Sequence, residues 1–164
     1  MDSRRLNSFT SQKVVVHPRT WKKLDEFGLS DKIRSLPKID AIEPLPYLDF
    51  LSLLSHSNLV ITDSGGVQEE ANVLKKPVLT LRNTTPRWET VFSRMNVLVG
   101  LNPELIIEAA RFALERDEMT HLAREAPSLY GDGRSGERIV NIIRELCAKG
   151  ELKYPETIAP KSIF

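Results

Sequence analysis

Leu59-Val-Ile-Thr-Asp-Ser-Gly-Gly-Val-Gln-Glu-Glu-Ala71 joins a short apolar run to a helical one through a serine and two glycines. The run from Asn58 to Thr62 is apolar and β-branched, and a helical period follows over Val67 to Leu74. In an open α/β sheet, ligands gather outside the carboxyl ends of the strands. The start of a helix offers unpaired N–H groups and a partial positive charge, and phosphate suits such a place. Gly65 and Gly66 would let the backbone approach an anion with no Cβ in the way, and Ser64 can cap the helix and donate to a phosphate oxygen. The same residues also read as a plain N-cap with a tight turn, because short Gly-Gly turns do not match the longer phosphate-loop signatures. Gln68, Glu69 and Glu70, read as first-turn residues, suit the helix dipole without any ligand.

Outward from this stretch, short β-rich runs alternate with helical periods. Lys13 to His17, Lys38 to Ile42, Pro77 to Leu81 and Asn96 to Val99 join Asn58 to Thr62 as expected strands. They are apolar throughout rather than alternating, as strands covered on both faces are. Helices are expected over Thr20 to Phe27, Tyr47 to Ser55, Val67 to Leu74, Pro103 to Glu115 and Ser135 to Lys149. Gly28 stands where a helix C′ residue is wanted. Leu48, Leu51 and Leu54 recur at helical spacing, as do Ile106, Ala109, Ala110 and Ala113, and Ile139, Ile142, Ile143 and Leu146. Strands alternating with helices predict a parallel α/β sheet. The last segment, Tyr154 to Phe164, has no periodicity and reads as a tail.

The composition sets limits. The 164 residues are 41% hydrophobic and 27% charged, with a formal net charge of +1, an ordinary globular balance. A domain of this length buries about two-thirds of the surface of its unfolded chain, so neither a disulfide nor a metal is needed to hold it. Lysines and arginines are scattered, which argues against a nucleic-acid or membrane surface as partner. Cys147 is the only cysteine; it reads as a buried or half-buried structural thiol. Met1 to Gln12 has no apolar core of a signal sequence, and no apolar run approaches a membrane span. A cytoplasmic, soluble protein is the expectation.

Several motifs then agree in order and spacing. Thr62-Asp-Ser-Gly-Gly-Val-Gln-Glu-Glu-Ala71 resembles the signature of the non-hydrolysing UDP-N-acetylglucosamine 2-epimerases. Glu43-Pro-Leu-Pro-Tyr-Leu-Asp-Phe50 resembles that family's EPL-x-Y-x-x-F element, and Lys76-Pro-Val-Leu-Thr-Leu-Arg-Asn-Thr-Thr85 its KPVL-x-LR-x-T-T element. Tyr130-Gly-Asp-Gly133, followed by Arg138-Ile-Val140, resembles its closing element, and His17-Pro18 its histidine-proline after the second strand of the C-terminal domain. The resemblance spans roughly Lys13 to Glu145.

It implies a Rossmann-like parallel sheet with flanking helices, the C-terminal half of a GT-B fold, over residues 1–150, with 151–164 as tail. It also implies roles for particular residues. Ser64, Gly65 and Gly66 would hold a UDP diphosphate, Glu70 the ribose, and Phe50 would lie near the uracil, where an aromatic face can stack. Arg87 takes the place of the arginine in the family's T-E-R-P-E element, where it would stabilise departing phosphate charge; a surface salt bridge is its alternative. Pro86 and Trp88 depart from that element, and Trp88 reads as a packing residue. His17 is either near a regulatory nucleotide-sugar or a structural residue capped by its own Pro-Arg turn. The resemblance calls for neither metal nor cofactor.

The family's acid–base carboxylates lie in an N-terminal domain that this sequence does not contain, and the first strand of the C-terminal domain is also absent. Met1 to Gln12 reads as the end of the helix that would follow that strand. In the strand order 3-2-1-4-5-6, strand 1 lies mid-sheet, so the strands at Lys13 to His17 and Asn58 to Thr62 should border a gap with unpaired edges. Four readings stay open: an epimerase whose UDP-binding half is this chain, with a separate N-terminal polypeptide or a homodimer completing it; a UDP-sugar-binding module without chemistry; a truncated fragment; and a GT-B glycosyltransferase.

Overall fold

A computed structural model describes residues 12–151. The expectations for Met1 to Ser11 and for the tail from Tyr154 lie outside the described residues; Gln12 opens a strand rather than closing a helix. The chain divides into two compact units at Pro127–Ser128.

The first unit begins with β1 (Gln12–Val15), α1 (Pro18–Glu26), α2 (Ser30–Arg34) and β2 (Ile39–Ile42). It continues with α3 (Tyr47–His56), β3 (Val60–Thr62), α4 (Gly65–Val73), β4 (Val78–Thr80), α5 (Trp88–Phe92), β5 (Asn96–Leu98), α6 (Pro103–Glu115) and α7 (Glu118–Glu125). The helix signals act as their chemistry requires. Asn102 Oδ1 accepts from the Glu104 and Leu105 N–H groups at 2.9 and 3.2 Å, with Pro103 at the first helical position. Gly28, at φ +65°, closes α1 while the Leu29 N–H reaches back to Leu24 O at 2.8 Å, a left-handed cap that glycine adopts without strain. The short helices α2, α5 and α7 carry too few turns for the apolar period to announce them.

All strand pairs are parallel, in two sheets: β1 with β2, and β3-β4-β5. Gln12 pairs with Ile39, Val60 with Val78, and Val78 with Asn96. Among the described residues, this pair and triplet correspond to the 3-2 and 4-5-6 portions of the order 3-2-1-4-5-6. Among the described residues, β1 has no neighbour but β2, and β3 none but β4. The Gln12 N–H bonds to Lys38 O just before β2, that of Val16 to Ile42 O at its end, and that of Val60 is committed to Pro77 O beside β4. Successive residues of a strand face opposite ways, so Lys13, Val15 and Ile61 aim their N–H groups at the free edges.

The core lies on both faces of the triplet. Val78 packs with Leu54, Val60 and Ala71 on the side of α3 and α4, with Phe50, Val67 and Leu74 around them. Its neighbour Leu79 packs with Val99, Ala113 and Met119 on the side of α6 and α7. Ile106, Ala109 and Ala110 line that second cluster, so α6 turns its expected face inward. Two expectations need correction. Only β4 is buried along its length; β1 is largely exposed, and Ile61 and Val97 are open to solvent. α4 packs against β4 on one face and α6 on the other, whereas β1 packs chiefly on its partner β2. Leu48 is also exposed, although Leu54 is buried, because six residues of helix rotate the two about 120° apart.

The second unit carries the turn around Tyr130 and α8 (Ser135–Ala148). The apolar stripe of α8 forms, but Ile139, Ile142 and Ile143 are exposed. Cys147, expected to be at least half-buried, is exposed as well.

Candidate functional site

β3 ends at Thr62, and α4 begins at Gly65 after only Asp63 and Ser64. The Thr62 hydroxyl oxygen accepts from the Ser64 N–H at 3.0 Å and bends the chain. Ser64 sits at the N-cap in extended conformation, and its Oγ accepts from the Val67 N–H at 3.4 Å. That bond is long, so the hydroxyl is lightly held. Gly65 and Gly66 are the first two helical residues, where an α-helix has no internal partner for its N–H groups. Neither glycine has a positive φ. A Cβ at Gly65 would meet nothing within 4 Å, and one at Gly66 only Ser64 Oγ at 3.9 Å. The fold itself therefore has no steric need for glycine at either position.

α4 starts two residues earlier than the sequence indicates, which moves Gln68, Glu69 and Glu70 out of the first turn. Each then has a distinct environment. Gln68 is buried, whereas Glu69 and Glu70 are partly exposed. Arg87 caps α5, and its Nε–H donates to the Glu69 carboxylate. Both partners of this ion pair are partly exposed. The structure thus joins Arg87 to the helix that carries Ser64, Gly65, Gly66 and Glu70. The salt bridge weighed as an alternative for Arg87 is present, and it ties the arginine to the candidate site.

Phe50 lies on α3, half-buried against Leu54, Val60, Ala71 and Val78. Its recorded neighbours are core residues. Trp88 stacks on Phe92 with ring centroids 6.0 Å apart, and both rings are exposed, so Trp88 packs on one neighbour rather than in the core. His17 follows β1 and caps α1, its Nδ1 accepting from the Arg19 N–H at 3.2 Å. This is the structural role that its Pro-Arg turn suggests. In the second unit, Arg138 grips both oxygens of Asp132, at 2.8 and 2.7 Å, and the Arg134 N–H adds a bond at 3.1 Å. The Arg138 guanidinium, then the Arg134 amide, hold the Asp132 carboxyl below its ordinary value.

Sequence reasoning missed a set of buried polar groups beside this site. Thr80, Thr85, Thr90, Asn96, Gln68 and Asn72 are all buried. Gln68 and Asn72 share the phase of buried Ala71 on α4, and that phase was the available signal. Among the described residues, no cluster of His, Cys, Asp and Glu could hold a metal, and no helix is long and apolar enough to cross a membrane.

A parallel sheet flanked by helices, with a glycine-bearing helix start at the carboxyl end of a strand, defines the Rossmann-like half of a GT-B fold. The family model described as UDP-N-acetylglucosamine 2-epimerase matches residues 4–144. The chain belongs to that family. It is 49% identical over 128 residues to a UDP-N-acetylglucosamine 2-epimerase of Methanocaldococcus jannaschii, covering 78% of this chain and 33% of the relative. A second, from Methanococcus maripaludis, is 45% identical over 128 residues with the same coverage. The crystal structure of the M. jannaschii enzyme in complex with UDP-GlcNAc and UDP superposes with a TM-score of 0.73 at 47% identity. That match covers 82% of this chain and 36% of the other. The chain spans about a third of the length of the curated relatives it matches, in their C-terminal portion.

Proposed function

We propose that this chain supplies the UDP-binding half of a UDP-N-acetylglucosamine 2-epimerase. That enzyme interconverts UDP-N-acetylglucosamine and UDP-N-acetylmannosamine by eliminating UDP and adding it back on the other face. The observation that carries this reading is the pair of glycines at the start of α4 for which the fold has no steric use. Two adjacent N–H groups, a helix dipole and the Ser64 hydroxyl form a place where a diphosphate can bond without hindrance. Glu70, on the same helix, accepts from ribose hydroxyls, and Phe50 borders the uracil. Arg87 neutralises charge that grows on the departing UDP; a guanidinium held in place beforehand costs no reorganisation at that moment.

Elimination and re-addition also need acid–base groups at C2 of the sugar. The reading assigns these to an N-terminal half, which would come from a separate polypeptide; a homodimer is the other partner proposed. It places the activity in the cytoplasm, in the making of cell-envelope polysaccharide. His17 keeps its structural role here, with a regulatory nucleotide-sugar as the further proposal for it. A second reading is a UDP-sugar-binding portion with no turnover of its own; among the described residues the outer edges of β1 and β3 carry no further strand.

Isothermal titration of the chain with UDP tests both readings. Saturable binding that is lost in Ser64→Ala and Glu70→Ala is expected. Turnover on adding an N-terminal half in trans then selects the first reading over the second. A folded chain that ignores UDP refutes the assignment of the site.

A further inference from the structure

Arg87 is held by a closed ring of hydrogen bonds that begins and ends on its own peptide groups. The Arg87 N–H donates to Thr85 Oγ1 at 3.1 Å, and the Thr85 hydroxyl donates to Gln68 Oε1 at 2.7 Å. The same Oε1 accepts from Asn96 Nδ2 at 3.1 Å. Asn96 Nδ2 also donates to Thr90 Oγ1 at 3.0 Å, and the Thr90 hydroxyl donates to Arg87 O at 2.6 Å. Thr80, on the neighbouring strand, donates to Asn96 Oδ1 at 2.7 Å and fixes which way that amide points. Two donors converge on one atom of Gln68, so that atom is its oxygen. Each donor that closes the ring has an acceptor, while the Gln68 Nε2, outside the ring's links, is buried with no hydrogen-bond partner; Gln68, Thr85, Thr90 and Asn96 are each at most 2% exposed.

Four polar side chains buried to this degree are costly unless fully bonded. Apolar residues would fill the same space without that demand. What the polar set adds is direction: Arg87 is linked to α4, the loop after β4, α5 and β5 at once. Its guanidinium meets α4 a second time through Glu69.

We infer that Gln68, Thr85, Thr90 and Asn96 are positioning residues for Arg87. They set the arginine at a fixed place relative to the helix start of Ser64, Gly65 and Gly66. The inference rests on the reading of that helix start as a diphosphate site. α4 then supplies both the N–H groups that receive the phosphates and, through Gln68 and Glu69, the alignment of the cation that neutralises them. None of the four touches the ligand itself.

Thr85→Val removes a link while keeping the branched shape, and Thr90→Val breaks the ring on its other side. The Arg87 Nε–H resonance, assigned by its loss in Arg87→Ala, is expected to be dispersed and slow to exchange in the ligand-free chain. In either valine variant it moves to the position of a free arginine, while the thermal transition stays cooperative. UDP affinity falls about tenfold, the scale of one charge-assisted hydrogen bond. On an Arg87→Ala background the same valine substitution changes affinity less than about twofold, since coupled residues are not additive. An unchanged Arg87 resonance in both variants overturns the inference. So does a tenfold loss that persists without Arg87, which would mark the ring as merely structural. A chain that never binds UDP refutes the site, while the resonance still decides whether the ring positions the arginine; should one valine variant fail to fold, the other carries the test.

Discussion

Replacing Gly66 by alanine should make this protein more stable and a worse binder of UDP. A Cβ at Gly66 would touch only Ser64 Oγ, at 3.9 Å, and one at Gly65 would touch nothing within 4 Å. Both residues are helical, with no positive φ. Alanine where the backbone already suits it lowers the entropy of the unfolded chain and gains about 0.4–1 kcal/mol. For a chain of 164 residues, 1 kcal/mol raises Tm by roughly 2–4 °C. The added methyl stands where the diphosphate would approach. Losing one hydrogen bond to a charged group costs about 1.5–3 kcal/mol, or roughly 10- to 150-fold in Kd.

Thermal melts and titration with UDP, run on Gly65→Ala and Gly66→Ala, should therefore move in opposite directions. Gly100 is the contrast: it sits at φ +61°, and a Cβ there would lie 2.7 Å from Asn83 Oδ1. Gly100→Ala should lose about 1–2 kcal/mol of stability. A Gly66→Ala protein that melts early, or that binds UDP as the parent does, would show that the glycines serve the turn and not a ligand.

Three further outcomes can be checked. Asp132 should titrate below the ordinary carboxylate range in carbon NMR, and Arg138→Ala should bring it back. Because its folded value is the lower one, its contribution to stability is present above the unfolded pKa of about 3.9 and fades as pH falls through the folded value. Arg94, left-handed at φ +60° where it follows α5, should gain up to about 1 kcal/mol on change to glycine, the relief of a left-handed side chain less the entropy returned to the unfolded chain; a lower urea midpoint would contradict this. The Lys13, Val15 and Ile61 amides should exchange fast in the chain alone and slow when a polypeptide that supplies a strand to these edges is added; protection already present in the chain alone would mean that the edges are covered.

Much of the fold was legible because it rests on local rules. Each of the five strands lies where a β-branched run sits between turn residues. The split into a pair and a triplet among the described residues also agrees with the expected parallel order. Burial was read less well. A continuous apolar run predicts cover on both faces, but cover depends on what packs there; β4 lies between α4 and α6 while β1 packs chiefly on β2. Cys147 was misplaced for the same reason, because the helical period shows which residues share a face and not whether anything lies against it.

The polar ring marks where pattern reading stops. Gln68 sits among Glu69 and Glu70 and reads as one more polar residue near a helix start, yet it is the one turned inward. The shift of two residues in the start of α4 separates these roles: it brings Gln68 into line with Ala71 and Asn72, both buried. Thr80 and Asn96 look like minor interruptions in apolar strands until the register sets Val78 against Asn96 and places both side chains on the face of α4. Hydrogen bonding then decides what hydropathy cannot. A buried amide is costly without partners, and those of the Gln68 Oε1 and the Asn96 Nδ2 lead through two threonines to the N–H and the C=O of one arginine. The residue types that weaken the apolar pattern are thus the ones that connect the core to Arg87, the cation of the proposed site.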